Sequence, residues 1–135
     1  MNRISVFRCT IKLMTFWGCI AFLACSANPQ ETILTSGDTW AADGDFKNFI
    51  LQGQAYTEKN AEASLLFHSD GKKGYEVLFR NGKMDGTRKS GSLSAIRNLY
   101  RSLAEDGEWF DFQIAVRNKN IAIQINGTDV VCYTE

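Results

Sequence analysis

Polar side chains of the kinds that bind sugars recur at alternate positions through the middle and the last third of the chain. They comprise amides, a carboxylate, an imidazole, guanidinium groups and aromatic rings: Gln52, Gln54, Tyr56, His68, Glu76, Arg80, Trp109, Gln113 and Arg117. Amide and guanidinium groups donate paired hydrogen bonds to hydroxyls, and an indole or phenol ring packs its face against the apolar side of a pyranose ring. The pattern therefore predicts a carbohydrate site.

Each of these residues also has a plainer interpretation. Glu76 and Arg80 would make an exposed charge pair worth well under ~1 kcal/mol. A single histidine on a strand, such as His68, is more often an ordinary surface residue. Trp109 is as suited to capping the end of a sheet as to stacking on a ligand. Tyr75 has the opposite parity, so we expect it to pack in the core.

The residue types predict neither a metal site nor a cofactor. His68 is the only histidine, and the chain has no Cys-x-x-Cys pair, so cysteine and histidine offer no zinc site. Asp38, Asp43 and Asp45 would suit calcium by type, but their spacing matches no calcium-binding loop that we recognise. We therefore predict no metal.

The alternation that sets out these side chains predicts strands. In the first run Phe49, Leu51 and Ala55 fall on one face, while Gln52 and Gln54 fall on the other. Further runs cover residues 63–68, 75–80, 109–117 and 121–125, and a last strand covers 129–133. Short strands joined by turns, such as those at Asn81-Gly82 and Asn126-Gly127, predict antiparallel pairing.

We expect an all-β fold for residues 46–135, an antiparallel β-sandwich of the jelly-roll type. Residues 90–107 break the two-residue rhythm and predict either one irregular helical turn or a long loop. The chain ends at Glu135, directly after the last predicted strand, so we expect a partial jelly roll with an unpaired edge strand.

The first residues predict export. A basic segment with three cations is followed by a short apolar segment, 13–24, and then by small residues, which is the order of a secretory signal. The apolar segment is shorter than the ~20 residues of a membrane-spanning helix. Leu23-Ala24-Cys25-Ser26 resembles the lipobox of bacterial lipoproteins, although Phe22 departs from it. We predict a signal peptide over residues 1–24, lipidation at Cys25 and a tether over 25–45.

Two alternatives stay open at this end: a cut after Ala27 that leaves a soluble product, and an N-terminal core helix. On the lipoprotein interpretation the protein resides in the bacterial cell envelope, in the periplasm or at the outer membrane, and meets the membrane only through its anchor.

Charge argues against nucleic acid as a partner. The chain has 15 Lys and Arg residues and 15 Asp and Glu residues, and three of the cations (Arg3, Arg8 and Lys12) lie in the predicted signal peptide. The remainder then carries a net charge near −3, which gives no electrostatic attraction to phosphates. An oligosaccharide or glycoside is the partner that the side chains predict.

A series of short motifs in fixed order resembles the 3-keto-disaccharide hydrolase family. The pieces are Phe46-Lys47-Asn48-Phe49-Ile50-Leu51, Ala63-Ser64-Leu65-Leu66-Phe67-His68, Gly74-Tyr75-Glu76-Val77, Gly107-Glu108-Trp109-Phe110, Ile114-Ala115-Val116-Arg117 and Ile123-Gln124-Ile125-Asn126-Gly127. The resemblance covers residues 46–133 and implies a concanavalin-like, laminin-G-like jelly roll. The opening and closing motifs of that family are absent from this chain, so a partial site is expected.

The resemblance also implies an activity, the cleavage of glycosides or disaccharides whose sugar is oxidised to a ketone at carbon 3, by base-assisted elimination or hydrolysis. The ketone acidifies the neighbouring C–H bond, so one base can start an elimination. On this hypothesis Glu76 or His68 is the base and Arg80 steadies the enolate oxygen. The alternatives are a non-catalytic carbohydrate-binding or adhesion module of laminin-G-like fold, and the product of a broken gene.

Overall fold

The regular structure of the chain consists of strands. The computed structural model describes residues 5–12, 31–34, 47–69, 73–82 and 86–135, and for the first two of these ranges it describes the backbone. Eight strands and no helix occur in these ranges: β1 (Ser5–Lys12), β2 (Glu31–Leu34), β3 (Phe49–Thr57), β4 (Ala63–Phe67), β5 (Tyr75–Phe79), β6 (Trp109–Arg117), β7 (Asn120–Ile125) and β8 (Thr128–Thr134). The predicted all-β class is confirmed.

The strands form two antiparallel sheets. The larger sheet has the order β2-β1-β3-β6-β7-β8, and the smaller one pairs β4 with β5. Consecutive strands β6, β7 and β8 are joined by tight turns at Asn118 and at Asn126-Gly127, where these residues adopt a positive φ. Asparagine and glycine tolerate that conformation, which is why the Asn126-Gly127 turn could be predicted from the sequence.

The two sheets face each other across an apolar core. Alternate residues of β3, β6 and β7 point inward, with Ile114, Ile123 and Ile125 fully buried. From the small sheet Val77 and Phe79 enter the same cluster, and the Phe79 ring meets that of Phe112 edge-on, with centroids 4.9 Å apart. Because a strand alternates its side chains, the residues between these point away from the core on both sheets. The fold is thus a β-sandwich with two outer faces.

Residues 90–107, the segment without the two-residue alternation, begin by running alongside β5. The Leu78 amide donates to the carbonyl of Ser92 (3.0 Å), the Gly91 amide donates back to Leu78 (2.8 Å), and Ser94 donates to Glu76 (2.8 Å). A single turn follows, in which the Arg97 amide donates to the Leu93 carbonyl at 2.8 Å. The segment therefore extends the small sheet before it makes the one irregular turn that the sequence allowed.

Gly91 lies where this segment approaches the large sheet. Its φ is +90°, and a Cβ placed on it would lie 2.7 Å from Val130 Cγ2 and 3.0 Å from Ile125 Cγ1. A side chain would meet β7 and β8 directly, and the backbone conformation would be strained as well. Glycine at this position allows the two layers to close at one edge.

A buried polar network fixes the other end of the segment. The Asn81 amide nitrogen donates to Thr57 Oγ1 at 2.9 Å, and its carbonyl oxygen accepts from Ser90 and, at 2.6 Å, from Ser102. The Thr57 hydroxyl in turn donates to Asp106 Oδ1 at 2.9 Å. Asn81, Thr57 and Ser90 are buried, so these bonds replace contacts with water that folding removes.

The amino-terminal strands lie in segments for which the sequence predicts other roles. β1 falls inside the predicted signal peptide, yet it pairs with β3 over eight residue pairs, from Ser5–Thr57 to Lys12–Ile50. β2 falls inside the predicted tether and pairs with β1. Cys25 lies outside the described residues. A cut before it would take β1 out of the sheet and leave the outer edge of β3 without this partner.

Candidate functional site

A groove of about 500 Å³ runs over the outer face of the large sheet. Its polar side chains come from three adjacent strands: Gln52 and Gln54 from β3, Asp111 and Gln113 from β6, and Gln124 from β7. All have the outward parity of their strands, which sets them opposite the core residues. We call this surface the groove face.

The side chains of the groove face are paired across the strands. Register places Gln52 opposite Gln113, and Gln113 opposite Gln124. The Gln52 amide donates to Gln113 Oε1, and the Gln124 amide donates to Asp129 Oδ1 at 2.8 Å. These bonds hold the amides in place before a ligand arrives.

Asp111 supplies the carboxylate of the groove. Its Oδ1 accepts from the Gln54 amide at 2.9 Å. The backbone on either side of it is bonded to the β7–β8 turn, since the Asp111 amide donates to Asn126 Oδ1 at 3.0 Å and the Asn126 amide donates to the Asp111 carbonyl at 2.9 Å. The side chain is exposed, so the carboxylate can reach a ligand while its strand is fixed.

An aromatic pair closes one end of the groove face. Tyr56 lies opposite Trp109 in the register, and their ring centroids are 5.6 Å apart with a tilt of 48°. The next outward pair along the same strands is Gln54 and Asp111. Two residues of strand span ~7 Å, so the rings are about one pyranose ring away from the carboxylate. Trp109 is 45 % exposed and offers ring surface to a ligand.

Glu76 and Arg80 lie on the other side of the sandwich. Val77 and Phe79 belong to the core, so Glu76 points to the outer face of the small sheet, where it lies opposite Leu66. Arg80 follows β5, and its Nη1 is 3.6 Å from Glu62 Oε2. We call this surface the small-sheet face. The core separates it from the groove.

His68 belongs to neither group, and Arg117 shares the outward parity of Gln113 on β6 but does not line the groove. His68 follows β4 with a φ of +49°, and its ring is edge-on to Phe49 and Phe67 at centroid distances of 5.8 and 5.7 Å. Arg117 is the last residue of β6, exposed beside the turn into β7. The structure therefore brings together Gln52, Gln54, Tyr56, Trp109 and Gln113 from the predicted set. It places Glu76, His68, Arg80 and Arg117 elsewhere.

The chain was compared with protein families, curated proteins and solved structures. The model of the 3-keto-alpha-glucoside-1,2-lyase-like domain matches residues 20–135. The chain belongs to this family. No curated protein and no solved structure matches it. The family matches the resemblance drawn from the motifs, and the matched range begins inside the predicted signal peptide.

The description of this family names a 3-keto-glucoside, which is a sugar. Two groove residues, Asp111 and Gln124, were missed in the sequence analysis. Both have the outward parity of their strands, and Asp111 lies between Trp109 and Gln113, which were predicted. The signal was therefore present in the alternation, but a lone aspartate within a strand was not singled out.

No group of three histidine, cysteine, aspartate or glutamate side chains within residues 47–69, 73–82 and 86–135 is placed to hold a metal ion. A search of the described residues found no helix long and apolar enough to cross a membrane.

Tyr75 packs against the core, as expected, with its ring stacked on that of Phe67 at 5.6 Å. Its hydroxyl donates to Glu135 Oε1 at 2.8 Å. This hydrogen bond, reinforced by burial and by the carboxylate charge, raises the pKa of Tyr75 to about 12. The contact ties β5 of the small sheet to the residue that follows β8.

Proposed function

We propose that this domain cleaves glycosides whose sugar is oxidised to a ketone at carbon 3, by elimination, and that the groove face holds the sugar. Family membership supports the substrate class. The observation that carries the choice of site is the Asp111 carboxylate, which the Gln54 amide holds within an amide-lined groove.

The chemistry needs one base and donors for one developing negative charge. The ketone at carbon 3 acidifies the C–H bond at carbon 2. The base takes that proton, the electron pair forms the C1–C2 double bond, and the C1–O bond breaks. The leaving oxygen then takes up a proton. The products are a 1,2-unsaturated 3-ketone and the free aglycone, and water is not consumed in this step.

Asp111 is the base in this proposal. The amides of Gln52, Gln113 and Gln124 bind the sugar hydroxyls and the oxygen at carbon 3, whose charge grows as the proton leaves. Amide donors that are already oriented by their neighbours need little reorganisation at that moment. General base catalysis by a positioned carboxylate contributes roughly 10²–10⁴-fold to the rate.

This assignment differs from the one implied by the motifs, in which Glu76 or His68 is the base and Arg80 steadies the enolate. A sugar held on the groove face lies across the core from Glu76. The two assignments place the substrate on different faces of the sandwich, so variants of Asp111 and Glu76 distinguish them.

The deciding experiment uses a 3-keto-glucoside with a chromogenic leaving group beside the unoxidised glucoside. We expect release of the aglycone from the keto substrate alone, and mass spectrometry should identify the unsaturated ketone. Binding of both substrates without release would instead indicate a carbohydrate-binding module. Release from both at similar rates would indicate an ordinary glycosidase and contradict the elimination.

We further propose that the protein is exported and acylated at Cys25, on the strength of the amino-terminal sequence pattern. Labelling of cells with a radioactive fatty acid should mark the wild-type protein and not Cys25→Ala. Cys132, which is exposed on β8, provides the matched control, because Cys132→Ala should stay labelled. Equal labelling of both variants, or none in the wild type, would contradict the anchor.

A further inference from the structure

The aromatic end of the groove has a chemical character of its own. Trp109 and Tyr56 form a tilted pair there, and the exposed side chain of Leu103 belongs to the neighbouring loop. The Leu103 carbonyl accepts a hydrogen bond from the side-chain amide nitrogen of Asn126 at 3.0 Å. The side-chain oxygen of Asn126 in turn accepts from the backbone amide of Asp111. The aromatic rings of Tyr56 and Trp109 therefore border the groove one outward position from its carboxylate.

We propose that Trp109 and Tyr56 form a second subsite, which binds the leaving group and favours an aromatic aglycone. This inference rests on the proposed elimination, since it assigns to the rings the part of the substrate that departs. A sugar whose carbon 2 is at Asp111 extends its C1 substituent by about one ring, which is the ~7 Å between successive outward pairs on a strand.

Two observations favour an aromatic ring over a second sugar. The amides of Gln52, Gln113 and Gln124 lie on one side of Asp111, whereas the other side presents the rings of Tyr56 and Trp109. Aromatic rings attract one another through offset or edge contacts, beyond the effect of the area that they bury. A tilted pair such as Tyr56 and Trp109 can offer both kinds of contact.

The chemistry of departure points the same way. An alcohol leaves as a strongly basic alkoxide unless an acid protonates it, whereas a phenol has a pKa near ~10 and leaves readily as its anion. Asp111 is the one carboxylate among the residues that line the groove within the described part of the chain. A groove whose one lining carboxylate acts as the base suits a leaving group that needs little protonation.

The test compares two 3-keto-glucosides that differ in the aglycone, phenyl against methyl, on the full chain. For the wild type we expect kcat/KM to be higher for the phenyl substrate. Trp109→Ala should lower the phenyl-to-methyl ratio of kcat/KM by roughly tenfold, as expected for the loss of one stacking contact. Trp109→Phe should restore most of the ratio, and Tyr100→Ala, at an exposed ring outside the groove, should leave it unchanged.

An unchanged ratio in Trp109→Ala would overturn the subsite while leaving the elimination intact. Absence of turnover in the folded wild type would contradict the elimination. In that case a binding measurement tests the subsite. Titration with phenyl and methyl glucoside should show tighter phenyl binding in the wild type and equal binding in Trp109→Ala. Equal binding of both glucosides by the wild type would overturn the subsite on its own.

Discussion

The two outer faces of this sandwich start from the same strand alternation and end with different chemistry. On the groove face, Gln52 is bonded to Gln113 and Gln54 to the Asp111 carboxylate across β3 and β6, and Gln124 of β7 lies opposite Gln113. On the small-sheet face, Glu76 lies opposite Leu66, and Arg80 is paired with Glu62. A wide sheet can line up several outward residues from adjacent strands, whereas a pair of strands offers few neighbours.

The comparison explains why sugar-binding residue types do not by themselves make a site. Gln113 lies between Gln52 on one side and Gln124 on the other in the register. Glu76 has a suitable carboxylate, and its partner in the register is a leucine. The number of polar neighbours in the sheet is what separates the two faces.

The largest effect should come from removing the Asp111 carboxylate, and the same change at Glu76 serves as the comparison. We expect Asp111→Asn to lower kcat on a 3-keto-glucoside by at least roughly 100-fold, because the base is lost while the shape and the Gln54 contact can remain. Glu76→Gln is the matched control and should stay within about twofold of the wild type. The reverse order of effects would transfer the active site to the small-sheet face.

The next largest effect concerns the network that joins the two layers. Asn81→Ala should lower the free energy of unfolding by about 1–3 kcal/mol, since it removes the hydrogen bonds that Asn81 makes to the buried hydroxyls of Thr57 and Ser90. The exposed Asn98→Ala provides the control, with a change within about 0.5 kcal/mol. Urea denaturation measures both, and equal midpoints for the two variants would refute the role of the network.

A smaller effect should follow from shortening an amide on the groove face. Gln113→Ala should raise KM several-fold and change kcat little, because the amide binds hydroxyls in the ground state and the transition state alike. The double variant with Gln52→Ala should lose less than the two single losses combined, since the amides act as a pair. Ser64→Ala on the small-sheet face should leave KM unchanged, and a rise there would contradict the comparison.

The smallest effect is a pH dependence at the edge where the sheets meet. The folded-state pKa of Tyr75, about 12, exceeds the ordinary value of 10.0. The contribution of the protonated Tyr75 side chain to the stability of the fold is therefore complete below pH 10 and is lost as the pH rises through about 12. The reason is that the unfolded chain releases the Tyr75 proton first. The stability difference between wild type and Tyr75→Phe should shrink over that interval. A constant difference from pH 9 to pH 12 would show that the hydrogen bond to Glu135 does not shift this group.

Much of the fold could be predicted along each strand. The alternation in residues 109–117 and 121–125 located β6 and β7, because a half-buried strand must place its apolar side chains on one side. Asn126-Gly127 likewise located the hairpin between β7 and β8. The segment 90–107 was recognised as irregular, but its pairing with β5 was not foreseen, since its bonds are made by backbone groups that composition does not reveal.

The site was harder to predict because parity gives a direction for one strand at a time. Glu76 and Gln113 both point outward, but they belong to different sheets and so to opposite surfaces. Asp111 and Gln124 have the same outward parity as the predicted amides. Only the register showed that these two residues lie beside the amides in one groove. The local sequence pattern also did not predict the pairing of β1 with β3, since the residues of β1 belong to a segment with the order of a signal peptide.

The sequence by itself determined the strand alternation, the hairpin turns and the family to which the domain belongs. These follow from local rules, because side-chain parity and turn conformation depend on residues close together in the chain. Only the tertiary structure decided that Gln52, Asp111 and Gln124 share one groove and that the core lies between them and Glu76. Strand order and register bring together residues that are far apart in sequence, and they are set by how two sheets bury their apolar faces against each other.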